Sequence, residues 1–310
     1  MNTKIYGTGS CVPEKIITND DLSKTLDTSD EWIRTRTGIT ARHIAGQKET
    51  ASVLAGKAAQ RALENAGVSP EEIDAIIVAT SSGDYAFPNT ASLVQAHIGA
   101  EHAACFDISA ACTGFIYAFS IADAYIKSGM YKKILVIGTE VMSSLVDWKD
   151  RSVCVLFGDG AGAVVLGESE TGKSMTRLHS NGLKGMVLTA GKTKEEYIKM
   201  DGQEVFRFAV KKVPESIEEV LTEAKVSREE IKYFILHQAN VRIIEAVAKR
   251  LKMTTEKFPV NLQNYGNTSA ASIPILLDEL NRNHQLNEGD MLMLSGFGAG
   301  LSWGSTLLKW

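Results

Sequence analysis

Apolar runs and amphipathic stretches alternate along this chain. IDAIIVAT (Ile73–Thr80), ACFDIS (Ala104–Ser109) and KKILVIG (Lys132–Gly138) are apolar nearly throughout. Runs of that length predict strands of sheets covered on both faces. Between them, TASVLAGKAAQRALENAG (Thr50–Gly67) and CTGFIYAFSIADAYIKSG (Cys112–Gly129) predict helices. The alternation predicts an α/β architecture with mixed sheets.

The pattern also repeats. ALENAGVSPEEIDAIIVAT, from Ala62, resembles VLTEAKVSREEIKYFILHQ, from Val220, and pairs Val68 with Val226 at an offset of 158 residues. Each copy predicts a helix end, a Ser-x-x-Glu cap and an apolar strand. ILVIGTE from Ile134 matches LMLSGFG from Leu292 at the same offset, and SAAC, ending at Cys112, matches SAAS, ending at Ser272, at 160. Three matches in order predict a duplicated fold. The polar GESETGKS stretch places the boundary near residues 165–172, giving halves 1–168 and 169–310. A site drawn from both halves then lies at their junction.

Composition narrows the class. The 310 residues are 44% hydrophobic and 23% charged, as in an ordinary globular protein. A net charge of −4 gives no global attraction to nucleic acid or an anionic membrane. Four cysteines without close pairs read as reduced thiols, not a disulfide framework or zinc site. With no signal-like N-terminus and no membrane-length run, the expected location is the cytoplasm.

Cys112 lies where a strand-like segment meets a helix-like one. A helix N-terminus there predicts a lowered thiol pKa and a nucleophile. Cys105 and Cys154, inside apolar runs, read as small hydrophobes. His237 ends the strand FILH, and Asn267 follows Gly266 in YGNTSAAS. Each has an ordinary reading, as a satisfied polar group or a turn residue. Cysteine, histidine and asparagine together suggest acyl transfer.

FGDGAGAVVLG (Phe157–Gly167) satisfies G-x-G-x-x-A, but AVVLG continues as a strand where a nucleotide site requires a helix. SGFGAGLSWGS predicts a turn whose N–H groups approach a ligand. Arg207 and Lys211, and Arg242, Lys249 and Arg250, fall at helical spacings. They form either a solvated face or a docking patch for an acidic partner.

TSDEWIRTRTGI, DISAACTGF, DRSVCVLFGDGAGAV, HQANVRII and GNTSAASIP, in this order, closely resemble the β-ketoacyl-[acyl carrier protein] synthase III family of the thiolase superfamily. The resemblance runs nearly end to end. It implies a five-layered αβαβα fold from two similar halves, a homodimer, and no metal or other cofactor beyond a coenzyme A thioester as substrate. It implies initiation of fatty acid synthesis: a short acyl-CoA, acetyl-CoA by preference, condenses with malonyl-carrier protein through an acyl-cysteine. Cys112 is then the nucleophile, with His237 and Asn267 assisting decarboxylation and condensation. The N–H groups of Cys112 and Ala299 form the oxyanion site. Trp32, Arg36, Thr37, Arg151, Gly202, Phe206, Asn240 and Ile243 match coenzyme A positions, with Trp32 and Arg151 flanking the adenine. Arg207, Arg242, Lys249 and Arg250 match the surface that receives the acyl carrier protein. Phe87, Met142 and Phe157 match the acyl pocket, Phe87 reaching that of the partner subunit.

Two segments depart from the family. Ala299 replaces a usual glycine, which predicts strain if its φ is positive. HSNGLKGMVLTAGK (His179–Lys192) lacks the usual glycine-rich form. The alternatives are a ketosynthase III-like enzyme of secondary metabolism with another acyl donor, or a non-catalytic acyl-CoA or carrier-protein binding module. Chalcone-synthase-like enzymes share the three residues, but DEWIRTRTGI favours the fatty acid branch.

Overall fold

The computed structural model describes residues 2–191 and 196–310. Strands β1 (Asn2–Cys11), β2 (Ala75–Ala79), β3 (Ala104–Ile108), β4 (Lys133–Val141) and β5 (Asp159–Ser169) form one mixed sheet in the order β1-β5-β4-β2-β3. Strands β6 (Ser174–Ser180), β7 (Ile231–Leu236), β8 (Met291–Gly298) and β9 (Ser302–Lys309) form a second, ordered β7-β8-β9-β6. Read from the other edge, the second sheet is the first without its β3 edge.

The register repeats as well. Ala75 lies opposite Ile134 in the first sheet, and Tyr233 opposite Leu292 in the second, both 158 residues on. Ser69 and Ser227 each close a capping box, over Glu72 and Glu230. These boxes cap single 3₁₀ turns that aim the chain into β2 and β7. β5 ends at Ser169, and β6, already part of the second sheet, begins at Ser174.

The longer helices are α1 (Asp30–Thr37), α2 (Ala51–Ala66), α3 (Thr90–Ile98), α4 (Gly114–Lys127), α5 (Gly202–Ala224), α6 (Val241–Leu251) and α7 (Ser272–Arg282). Strand alternation sorts them into layers. Leu135 and Ile137 of β4 join α2 and α3 in one core, whereas Ile134 and Val136 join α4, α7 and the inner face of the second sheet. Phe234 and Met293, on the far face of that sheet, pack with α5 and α6. The result is the five-layered αβαβα fold, with α4 and α7 between the sheets.

The central helices begin alike. The 3₁₀ turns Ala111–Thr113 and Ser269–Ala271 lead into α4 and α7, and each opens on a left-handed residue, Ala111 at φ 45° and Ser269 at φ 50°. The counterpart of Cys112 is therefore Ala270, at an offset of 158 residues like the rest of the repeat. The SAAC/SAAS match at 160 aligned letters and missed the backbone by two positions.

Each turn presses on a glycine of the opposite half. A Cβ on Gly138 would lie 2.2 Å from the Ala270 carbonyl oxygen, and one on Gly296 would lie 3.3 Å from the Thr113 Cα, a milder crowding. A Cβ on Gly162 would meet the Ile275 nitrogen at 2.6 Å, so the glycines of FGDGAGAVVLG admit α7 against β5. Among the described residues, no helix is long and apolar enough to cross a membrane.

Candidate active site

A cavity of about 240 Å³ opens between α1, α5 and α6 and runs down to the turn before α4. Its entrance is framed by Trp32 and Arg36 of α1, Gly202 and Phe206 of α5, and Asn240 and Ile243 at the start of α6. At its inner end lie Cys112, His237 and Asn267, only 8%, 1% and 6% exposed. The first comes from one half, the other two from the second.

Local sequence explains the frame. Ser29 caps α1 by accepting the Trp32 N–H, with Asp30 and Glu31 in the first turn favouring the helix dipole. Asn240 caps α6 through the Arg242 N–H and donates Nδ2 to the Arg36 carbonyl at 3.0 Å, tying the two sides of the entrance together. Thr37 lines the cavity, but its hydroxyl bonds within α1, to the Ile33 carbonyl at 2.7 Å.

His237 holds its ring by Nδ1, 2.7 Å from Ser272 Oγ, while Phe297 packs edge-on at 5.2 Å. Ser272 Oγ also accepts the Gln238 N–H at 3.4 Å, so its proton is free to go to Nδ1. That arrangement leaves Nε2 protonated and able to donate into the cavity. Burial holds the imidazole down at about 3, so it is neutral at physiological pH.

Asn267 is fixed by its backbone and its amide. Its N–H donates to the Leu156 carbonyl at 2.8 Å, and its own carbonyl accepts the Gly158 N–H at 3.1 Å. Gly266 at φ 66° supplies the turn that makes this approach possible. The side-chain oxygen accepts the Ser269 N–H at 2.9 Å, which leaves the amide NH₂ as the free donor.

Cys112 departs from its sequence expectation. Burial pushes its thiol up to about 12, with the Glu140 charge adding to the rise and a Ser269 hydrogen bond opposing it. Desolvation outweighs the helix end because Cys112 sits in the 3₁₀ turn, ahead of the first α-helical residue, Gly114.

Of the other expected residues, Phe157 reaches the cavity wall. Met142 is 6% exposed and belongs to the core beside it, away from the wall. Phe87 is 87% exposed in the loop after β2, outside its own chain's cavity. Arg151 also misses the wall: it pairs with Asp27 at 3.1 Å, its guanidinium 5.5 Å from the centre of the Trp32 ring. Arg36 lies closer over that ring, at 4.7 Å. Phe297 and Gly298 close the inner end, with Ala299 one residue beyond. The expected strain at Ala299 is absent, because the positive φ of this turn falls on Gly300, at 132°.

Arg207, Arg242, Lys249 and Arg250 are all exposed, Arg207 and Arg242 next in sequence to residues that frame the entrance and Lys249 and Arg250 in the last turn of α6. Arg207 is paired with Glu204 at 2.6 Å. In the 179–192 segment, Leu188 reaches the wall and Leu183 is fully exposed, while Lys192 lies outside the described residues.

The family models described as 3-oxoacyl-[acyl-carrier-protein (ACP)] synthase III and its C-terminal region match residues 106–182 and 221–310. A β-ketoacyl-[acyl-carrier-protein] synthase III of Aquifex aeolicus is 51% identical over 312 residues, covering 100% of both chains. One from Clostridium acetobutylicum is 49% identical, covering 100% of this chain and 99% of its own. The chain belongs to the β-ketoacyl-[acyl-carrier-protein] synthase III family. A crystal structure of the Aquifex aeolicus VF5 3-oxoacyl-[acyl-carrier-protein] synthase III superposes with a TM-score of 0.96 at 52% identity, covering 99% of this chain and 100% of that one.

As a synthase III the chain is a condensing acyltransferase with the thiolase fold. Three polar residues around its site escaped the sequence reading: Ser272, Ser269 and Glu140. Ser272 and Ser269 stand in the SAAS segment already singled out. Glu140 ends the ILVIGTE strand, 129 residues from the serine it touches, with no local signal.

Proposed function

We propose that this chain initiates fatty acid synthesis by joining a short acyl-CoA, acetyl-CoA by preference, to malonyl-carrier protein. The observation that carries the reading is one narrow cavity ending on Cys112, His237 and Asn267 and opening between Trp32 and Asn240. Its course from Trp32 and Asn240 to a buried thiol suits a long, thin pantetheine arm.

Cys112 attacks the acyl thioester. Because its thiol is held high, the proton leaves during attack and ends on the departing coenzyme A sulfur. The Cys112 N–H and the Gly298–Ala299 turn supply the oxyanion donors. Malonyl-carrier protein then enters and loses CO2, placing negative charge on its thioester oxygen. His237 Nε2–H and the Asn267 amide donate to that oxygen, both neutral donors that need no deprotonated partner. The carbanion equivalent attacks the acyl-cysteine, giving 3-oxoacyl-carrier protein and, with one proton taken up, the free thiol. The reading assigns no metal or further cofactor to any step.

Trp32, Arg36, Thr37, Gly202, Phe206, Asn240 and Ile243 receive coenzyme A, Arg151 moving from Asp27 to cover the adenine. Arg207, Arg242, Lys249 and Arg250 receive the acidic carrier protein. Phe87 enters the partner's acyl pocket in a cytoplasmic homodimer, where Phe157 bounds the space and Met142 backs it from the core. We divide the chain at 168/169, next to the turn that passes from one sheet to the other.

Radiolabelled acetyl-CoA tests the first step and a panel of acyl-CoA primers with malonyl-carrier protein the second. Label on Cys112 and a 3-oxoacyl product are expected. Label from no short acyl-CoA would overturn the enzyme reading, and transfer without CO2 release would favour a secondary-metabolism enzyme.

A further inference from the structure

Glu140 is a buried carboxylate with no role in the steps above. It is the penultimate residue of β4, is 0% exposed, and has no cationic partner among the described residues. Its Oε2 accepts the Ser82 hydroxyl at 2.5 Å and the Ser81 N–H at 3.1 Å, with Thr80 Oγ1 at 3.5 Å. Its Oε1 accepts the Ser269 hydroxyl at 3.0 Å, and the Ser269 N–H holds the Asn267 amide at 2.9 Å. A chain of two hydrogen bonds thus runs from the first sheet to the cavity.

The fold does not itself require this group. The residue in the same place on β8, 158 positions on, is Gly298. A buried, unpaired carboxylate is costly, and Glu140 is accordingly raised to about 7. Scaffolding alone would be served by an amide. The acceptor is also aimed at a residue in a strained conformation, Ser269 at φ 50°, whose N–H must stay in place for Asn267 to face the cavity.

We propose that Glu140 is a positioning residue for the condensation step, acting through Ser269 to orient the Asn267 amide. The proposal rests on the function proposed above. It gives the two half-reactions opposite responses. Losing the anchor should slow condensation, which uses Asn267. Losing the negative charge near Cys112 should leave acylation as fast or faster, since that charge opposes the thiolate. A merely structural residue would slow both.

The test uses the full chain with Glu140→Gln, nearly isosteric, and Ser269→Ala, whose counterpart Ala111 already holds the same backbone at φ 45°. In Glu140→Gln, kcat for condensation with malonyl-carrier protein should fall about tenfold or more with KM unchanged. Acetyl transfer from acetyl-CoA to Cys112 should be no slower than in the wild type. Ser269→Ala should lose condensation to a similar degree, and the double variant should be no worse than the poorer single one. Wild-type condensation in either variant, or acylation falling in step with condensation in Glu140→Gln, overturns the proposal. A wild-type protein that takes no acyl group from acetyl-CoA overturns the proposed function instead, before the variants are compared.

Discussion

The turns Ala111–Thr113 and Ser269–Ala271 are the same structure used twice, and they differ in that the first places a residue, Cys112, on the cavity wall. Both open on a left-handed residue, lead into a central helix, and press against a glycine of the opposite sheet. Around the first, the strand ends supply Gly298 and His237, and a cavity remains. Around the second, the corresponding residues are Glu140 and Ala79, and the carboxylate network fills the space. Duplication gave the fold two equivalent places for a nucleophile. Which one kept a cavity was decided by what stands at the two strand ends.

The surroundings diverge in the same way. β8 and β9 are joined by a turn of three residues, whereas residues 142–158 link β4 to β5 and bring Val155, Leu156 and Phe157 to the cavity wall. The inserted segment belongs to the first half but furnishes the site that also uses the second. Neither half could form the cavity alone.

Making the first turn like the second should have the largest effect. Cys112→Ala reproduces Ala270, and condensation should fall about a thousandfold or more, with no label retained from acetyl-CoA. Asn267→Ala instead removes a donor that the comparison assigns to the later step. Condensation should fall about a hundredfold while label on Cys112 persists, as read by single-turnover acylation beside product analysis. Equal loss of both steps would break the assignment of the two turns to separate half-reactions.

Much of this contrast was legible in the sequence, for identifiable reasons. The 158-residue offset survives in strands and caps because apolar runs and Ser-x-x-Glu boxes are local signals. Cys112, His237 and Asn267 lie at element ends, where reactive groups are expected. The rest depends on contacts or φ values that no spacing reports. The true partner of Cys112 is set by the φ of Ala111 and Ser269 rather than by matching letters. The direction of the thiol shift is set by burial, which the helix-end argument did not weigh. The strain expected at Ala299 moved one residue on, to Gly300, and Glu140 meets Ser269 across the two halves.

A smaller effect separates the outer helices. α6 carries exposed Arg242 at its entrance end and exposed Lys249 and Arg250 in its last turn, whereas α3, which follows β2 as α6 follows β7, has neither lysine nor arginine. If that asymmetry marks the docking side, Arg242→Glu with Lys249→Glu should raise KM for malonyl-carrier protein several-fold, more at low salt than at high. Acetylation by acetyl-CoA should be unchanged. An unaltered KM would leave α6 and α3 alike, as two solvated faces.

The smallest effect concerns stability and isolates the closed turn. Glu140 has its carboxyl raised from 4.5 to about 7, so the unfolded chain releases this proton first as pH rises. Native stability therefore carries no penalty below about 4.5, loses ground between that pH and about 7, and loses no more above it. Glu140→Gln cannot titrate. Its melting temperature relative to the wild type should thus become more favourable between pH 5 and pH 8, by roughly several degrees. His237, lowered to about 3 by burial, contributes in the opposite sense as pH rises towards 6.5, but it is present in both proteins and cancels in the difference. Thermal unfolding at the two pH values decides the matter: a difference that stays flat or reverses would mean that the serines around Glu140 stabilise its charge enough to offset burial.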